Sequence, residues 1–291
     1  MSAPLFPVIP DPPPGPLQSA CSPIWIGTSG YSFDDWTGPF YPEGTPKGKR
    51  LDYYATQFPC VEINSTYYGI PHPAVMAKLA AKVPDGFEFT AKAFEAMTHR
   101  RAQTPELYGQ YLEALDPLRA AGKFNGVILQ FPGAFRNEKE NRAHLGFLRR
   151  HLPGVDLWAE FRHDSWDRPE VYRFLRDLRL GFIAVDEPRL PGLFPPVAQV
   201  TSDVAYVRFH GRNAVNWYNG TTHGRVDRGS GGGHTDRYDW DYTLAELEEW
   251  SGRIREMAAR ARKAYVFFNN CYMGRAVRSA RLMKGLLQPG A

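Results

Sequence analysis

Short runs of β-branched and aromatic residues alternate with longer stretches of helical spacing from residue 24 to the end of the chain. A parallel sheet with crossover helices produces this alternation, because strands that are buried on both faces have nearly continuous apolar sequences. Eight strands are predicted, at Ile24–Thr28, Cys60–Asn64, Phe87–Ala91, Gly126–Gln130, Asp156–Phe161, Gly181–Asp186, Ala205–Phe209 and Ala264–Phe268. Eight strand and helix pairs in a chain of this length predict a single TIM-like (β/α)8 barrel.

The intervening stretches have the spacing of amphipathic helices. Helices are predicted at Pro73–Lys82, Pro105–Ala120, Glu138–His151, Pro169–Leu178, Leu244–Arg260 and Tyr272–Leu287. Three of them open on a proline, which suits a first helical turn, and Thr104 and Thr243 are candidate N-caps.

Two segments depart from the regular pattern. The crossover after the sixth strand, residues 187–200, is rich in proline and is predicted to be irregular. Residues 211–242, after the seventh strand, form a long glycine-rich loop. A connection of that length inside a barrel domain favours a functional role, and its place after a strand predicts a lid over the mouth.

Composition places few limits on partners. Residues 1–23 contain eight prolines and no lysine or arginine, so they are predicted to be an extended tail ahead of one barrel domain at 24–288. With 35 basic and 31 acidic residues, the net charge of +4 neither demands nor excludes an anionic partner. Three cysteines without zinc-site spacing fit a reducing cytoplasm, and no apolar run has the length of a membrane span. The oligomeric state stays open.

Polar side chains gather where the predicted strands end, and in a barrel these ends share one mouth. Four of them are candidate acids or bases: Glu62, Glu160, Asp186 and His210. The candidate ligand-binding residues are Asn64, Lys92, Gln130, Arg162, His163, Arg208, Trp217, Tyr218, Asn269 and Asn270. Which of Asn269 and Asn270 faces inward stays open, because one residue of register reverses the answer.

Two interpretations of this cluster stand side by side. In the functional one, Lys92, Arg162 and Arg208 form an anion clamp, since forked guanidinium donors suit phosphate or carboxylate. The carboxylates and His210 then move protons. In the structural one, acidic and basic residues pair with each other as a polar layer that closes the core.

The strand-end strings resemble those of the YecE-like family, also called domain of unknown function 72. The resemblance rests on GTSGYS at 27–32, VEINSTYY at 61–68, LQFP at 129–132, EFRH at 160–163, YVRFHG at 206–211 and FNN at 268–270. It extends over nearly all of the chain after the tail. The resemblance implies a TIM-like barrel and brings no assigned activity with it.

The leading hypothesis is an enzyme, of hydrolase type, that uses acid–base chemistry on a small phosphorylated or carboxylated compound. One alternative is a nucleic-acid-binding protein, as a phosphodiesterase or nuclease, with arginines of the 211–242 loop contacting the backbone. A non-catalytic ligand-binding protein is the other. The chain has no organic-cofactor motif. A mouth rich in Arg, Lys and Asn offers no assigned metal ligand, although a metal is not excluded.

Overall fold

Eight parallel strands close into a barrel in which each strand is hydrogen-bonded to its sequence neighbours and the last pairs with the first. These features come from a computed structural model that describes residues 22–218 and 236–288. The strands are β1 Ile24–Ser29, β2 Cys60–Ile63, β3 Glu88–Lys92, β4 Phe124–Gln130, β5 Leu157–Glu160, β6 Gly181–Asp186, β7 Val204–Phe209 and β8 Lys263–Phe268. The predicted TIM-like barrel is therefore confirmed.

Helices surround the barrel. They are α1 Arg50–Tyr54, α2 Pro73–Ala81, α3 Glu95–Thr98, α4 Pro105–Ala120, α5 Lys139–His151, α6 Pro169–Asp177, α7 Leu244–Ala259 and α8 Arg275–Leu287. The three helix-opening prolines all lie in the first turn, as predicted. Thr243 forms a full capping box with Glu246, whereas the Thr104 side chain makes no capping hydrogen bond.

Two further predicted segments have opposite outcomes. The crossover between β6 and β7 contains no helix, which confirms the irregular connection expected from its prolines. The helix predicted at Tyr272–Leu287 is wrong at its start. Met273 and Gly274 have positive φ angles of 48° and 74°, so a separate 3-10 turn precedes α8.

Aromatic side chains fill the lower barrel interior. Trp158 lies 5.1 Å from Tyr206 between ring centroids, and Tyr206 lies 5.4 Å from Phe267. Trp158 fits because its neighbours in space lack side chains. A Cβ at Gly181 would lie 2.1 Å from the Trp158 ring, and one at Gly126 would lie 2.5 Å from it. This packed layer forms the floor beneath the polar strand ends.

The predicted tail at 1–23 and the predicted lid lie largely outside the described residues, the tail up to residue 21 and the loop from 219 to 235. No helix within 22–218 and 236–288 has the length and apolar character needed to cross a bilayer.

Candidate functional site at the barrel mouth

Three strands bring an arginine and two glutamates together above the aromatic floor. Arg208 at the end of β7 donates one amino group to Glu62 on β2 and the other to Glu160 on β5, each at 2.5 Å. Tyr206 lies one inward position below Arg208, and its hydroxyl donates to Glu62 at 3.2 Å. Arg208 is only 2% exposed, so both of its ion pairs are shielded from solvent.

The pairing continues toward the mouth through a second arginine. Arg162 follows β5, and its Nη2 lies 2.7 Å from Oε1 of Glu160. Its Nη1 donates to Glu187, directly after β6, at 2.5 Å. Glu62, Arg208, Glu160, Arg162 and Glu187 therefore form one buried row of alternating charge, which we call the charged array.

The charged array fixes the ionisation of most of its members. Burial would raise the pKa of the Glu160 carboxyl, but Arg208 and Arg162 outweigh burial and hold that pKa well below its usual range. Burial opposes the charge on Arg208 and Arg162, yet their carboxylate partners raise the pKa of both guanidiniums. Glu160 is thus a permanent anion, which makes it a poor general base.

Glu187 differs from the other carboxylates. Burial raises the pKa of its carboxyl to about 7, against the opposing effect of Arg162. A carboxyl with such a pKa exchanges its proton near neutrality, which suits a general acid or base.

His210 borders the charged array as a neutral ring. Burial, with Arg162 beside it, lowers the pKa of His210 to about 3. The Asn269 amide lies 3.0 Å from Nδ1, and Nε2 lies 3.3 Å from Oε1 of Glu160 and 3.2 Å from Nη2 of Arg162. His210 is therefore a buried neutral ring between Asn269 and the charged array, and the structure resolves the open register question by placing Asn269 at the mouth.

Lys92 is a cation at the mouth that is not paired with a carboxylate. It ends β3, and its Nζ lies 4.1 Å from the centroid of the Tyr67 ring. Within residues 22–218 and 236–288, Nζ has no hydrogen-bond acceptor and no carboxylate oxygen within 4.0 Å. Burial, followed by Arg208, lowers the pKa of Lys92 to about 7 against the pull of Glu160 and Glu62.

Two amides complete this part of the mouth. Gln130 ends β4 opposite Glu160 in the sheet register, so both side chains leave the same face, and its amide donates to the Phe131 carbonyl. Asn64 follows β2, and its amide oxygen is buried without a hydrogen-bond partner in the described part of the chain. An unsatisfied buried amide is expected to take a partner from a ligand or from water.

The described ends of the loop after β7 close one side of the mouth. The buried Trp217 ring lies between two guanidiniums, with Arg237 at 4.5 Å and Arg162 at 5.6 Å from the ring. Tyr218 is 56% exposed. Arg212, expected to reach a nucleic-acid backbone, is instead bound to Asp186 at 2.8 Å. Of the other loop residues of that hypothesis, Arg237 lies over the Trp217 ring, and 223–228 lie outside the described residues.

Three candidate residues are not brought into the mouth. Asp186 accepts hydrogen bonds from Trp250 of α7 and from Tyr242, each at 2.6 Å, so it lies between the barrel and its helices. Asn270 is likewise turned outward, and it donates to Ser279 of α8 at 3.1 Å. His163 accepts from the backbone of Ser165 and caps a short turn.

The residue missed from the sequence is Glu187, because Asp186 was chosen from the same pair. The β6 and β7 register places Val185 beside Arg208, so Val185 faces inward, Asp186 outward and Glu187 inward again. The sequence signal that could have identified Glu187 is the alternation across neighbouring strands, once Arg208 is taken as an inward residue. Thr90 and Tyr206, whose hydroxyl oxygens lie 3.1 Å apart, were also missed, because each looks like an ordinary core residue.

Other parts of the molecule offer less. Among the described residues, no group of three or more His, Cys, Asp or Glu side chains is arranged to hold a metal ion. Two clefts open at the opposite, N-terminal end of the barrel, one beside Arg262 and Asp156 and one beside Trp25 and Phe87. Neither cleft contains a member of the charged array, and in this fold chemistry is found at the C-terminal face.

The fold and this mouth define an α/β barrel protein with a buried ionic cluster at its strand C-termini. The chain belongs to the family described as protein of unknown function DUF72, whose model matches residues 25–291. This confirms the resemblance found in the strand-end strings.

Three relatives illustrate the similarity. UPF0759 protein YunF of Bacillus subtilis is 30% identical over 276 residues, covering 91% of this chain and 94% of that protein. The crystal structure of a DUF72 family protein from Thermotoga maritima matches with 36% identity and a TM-score of 0.81, over 91% of this chain and 99% of that one. A DUF72 family protein from Enterococcus faecalis is 27% identical with a TM-score of 0.78, over 92% and 96% of the two chains.

Proposed function

We propose that this protein is an enzyme that carries out acid–base chemistry on a small phosphorylated or carboxylated compound in the barrel mouth. The observation that carries the proposal is the isolated ammonium group of Lys92. In the described part of the chain it has no carboxylate partner, although it ends a strand beside a row of paired charges.

The charges of the site favour an anion. Each guanidinium of the charged array is shared between two carboxylates, so Arg208 and Arg162 hold the protein together and are not free to clamp a ligand. With Glu187 protonated and Lys92 charged, the two carboxylates of the charged array balance its two guanidiniums, and Lys92 and Arg237 add further positive charge at the mouth. A phosphate or carboxylate would be stabilised by this surplus positive charge in a poorly solvated site.

Proton transfer is assigned to Glu187 in place of Glu160. The pKa of Glu187 is near 7, whereas Glu160 is held ionised by two arginines. Asn64 and Gln130 are the polar groups that would orient the ligand. Hydrolysis of a phosphoester is the first reaction to assay.

A thermal-shift screen with inorganic phosphate, sugar phosphates, carboxylates and short oligonucleotides tests the proposal. A ligand at 100 times its dissociation constant adds about 2.7 kcal/mol of stability. We expect one class of small anion to stabilise the wild type and to lose this effect in Lys92→Met, while Lys78→Met, at an exposed helix position, behaves as wild type.

The screen also separates the alternatives. Stabilisation by oligonucleotides alone, falling steeply with added salt, would replace the proposal by nucleic-acid binding. Tight binding of a small anion without turnover in the wild type would indicate a ligand-binding protein. An unchanged response in Lys92→Met would remove Lys92 from the site.

A further inference from the structure

The Lys92 side chain starts from a rigid backbone position. Its carbonyl oxygen accepts hydrogen bonds from the Thr66 hydroxyl at 2.6 Å and from the Tyr111 hydroxyl at 2.9 Å. Thr66 also donates to Ile63 at the end of β2, so strand and loop are tied together at this point. A side chain anchored in this way presents its terminal amine at a defined place, which is what a reacting group requires.

Among the described residues, the Lys92 amine has no hydrogen-bond acceptor. The Tyr67 ring lies against it, and the charged groups that act on it are Glu62, Glu160, Arg162 and Arg208, from β2, β5, the segment after β5, and β7. His99 lies against Tyr67, with ring centroids 5.1 Å apart. Burial and the nearby Lys92 lower the pKa of His99 to about 4, so its ring is neutral and adds no charge beside the amine. Within residues 22–218 and 236–288, no carboxylate pairs with Lys92, whereas Lys263 is paired with Glu88 at 2.5 Å.

We propose that the Lys92 amine attacks the carbonyl carbon of the substrate and forms a Schiff base. The substrate class is then an aldehyde or ketone that also bears a phosphate or carboxylate group. This inference rests on the proposed function and deepens it, because it assigns Lys92 a covalent role in the same mouth.

The step balances without a further reactant. The nitrogen lone pair forms the C–N bond while the C=O π pair moves to oxygen, and a proton passes from nitrogen to that oxygen. The nitrogen lone pair then forms the C=N bond as the C–O bond breaks, and the hydroxyl leaves as water with a proton supplied by Glu187 or solvent. The second N–H proton is lost to give the neutral imine, or is kept in the protonated form. A neutral amine is needed at the outset, and a pKa of about 7 leaves a large neutral fraction at physiological pH.

Reductive trapping tests the inference. The intact protein is incubated with dihydroxyacetone phosphate, glyceraldehyde phosphate, pyruvate or unphosphorylated dihydroxyacetone, each with sodium cyanoborohydride, and modified lysines are located by peptide mass. A Schiff base that cyanoborohydride has reduced to the secondary amine adds the mass of the probe less one oxygen atom. We expect Lys92 to be labelled about 10-fold faster or more than exposed Lys78 at neutral pH, since an ordinary lysine has a pKa of about 10.4.

A matched variant removes the nucleophile and keeps the charge. Lys92→Arg should lose the fast label while the background on Lys78 stays, and it should retain part of the stabilisation by inorganic phosphate. Equal labelling rates at Lys92 and Lys78 in the wild type would overturn the Schiff base. Should phosphate still stabilise the wild type in that case, the anion site stands. Fast labelling that is equal for phosphorylated and unphosphorylated probes would keep the covalent role and remove the anion requirement.

Discussion

Arg208 donates to Glu160 at 2.5 Å across the barrel interior, and neither side chain reaches solvent. Both groups are charged at all ordinary pH values, since each holds the pKa of the other away from neutrality. Each of the two charges therefore needs the other as its partner, because water cannot replace a lost partner inside the barrel.

Removal of Arg208 should strongly destabilise the fold. Arg208→Met leaves Glu62 and Glu160 without their shared partner, and breaking a buried ion pair costs about 3–5 kcal/mol. The control is Arg262→Met, because Arg262 pairs with Asp203 at 2.6 Å on the surface, where a pair contributes about 1 kcal/mol or less. Urea denaturation measures both. Equal losses in the two variants would contradict the structural role of Arg208.

Glu187 should make the wild type less stable as pH rises toward neutrality. Its pKa is about 7 in the folded protein and about 4.3 in the unfolded chain. Between these values the folded state keeps a proton that the unfolded state has lost. The free energy of unfolding of the wild type should therefore fall by about 2–4 kcal/mol as pH rises across this window, relative to that of Glu187→Gln. Urea titrations from pH 5 to 8 would give parallel curves for the two proteins if Glu187 titrates normally.

Lys92 should have the opposite dependence at higher pH. Its pKa is about 7 when folded and about 10.4 when unfolded, so the unfolded chain binds more protons between these values. Stability of the wild type relative to Lys92→Met should rise with pH through this window and stay level below it. The measurement is chemical denaturation from pH 6 to 9.5. Lys78→Met serves as the control, and its curve should stay parallel to that of the wild type throughout.

A methyl group at Gly181 should disturb the aromatic floor. The new Cβ would lie 2.1 Å from the Trp158 ring, and overpacking of this kind costs about 1–3 kcal/mol or more. Gly252→Ala is the matched control, since Gly252 is exposed in α7 with open space around it. That variant should gain up to about 1 kcal/mol. Melting temperatures that change in the same direction would contradict the close fit around Trp158.

Periodicity and strand-end polarity predicted the fold well. The eight predicted strands all occur, with ends displaced by no more than two residues, because each is a short apolar run bounded by turn residues. The start of α8 could not be predicted, because the sequence pattern does not reveal the positive φ angles of Met273 and Gly274, and the Met273 N–H donates to Asp35, which is distant in the chain.

The sequence predicted most of the residues that form the site but not how their side chains pair with one another. Glu62, Glu160, Arg162, Arg208 and His210 meet at one mouth, as their positions at the predicted strand ends indicated. The sequence could not show that Arg208 is fully occupied by two carboxylates, because that depends on strands far apart in the chain. For the same reason Asp186 was preferred to Glu187: the choice depends on the register between β6 and β7.

The sharing of each guanidinium by two carboxylates has a consequence for how this sequence can change. Replacing Glu62, Arg208, Glu160 or Arg162 alone leaves an uncompensated charge in the barrel, so a single substitution at these positions is opposed by the stability of the fold. A tolerated change has to alter two neighbouring members together, for example an arginine with one of its glutamates. The positions of the charged array, which lie on four different strands or strand ends, are therefore expected to change together among related sequences.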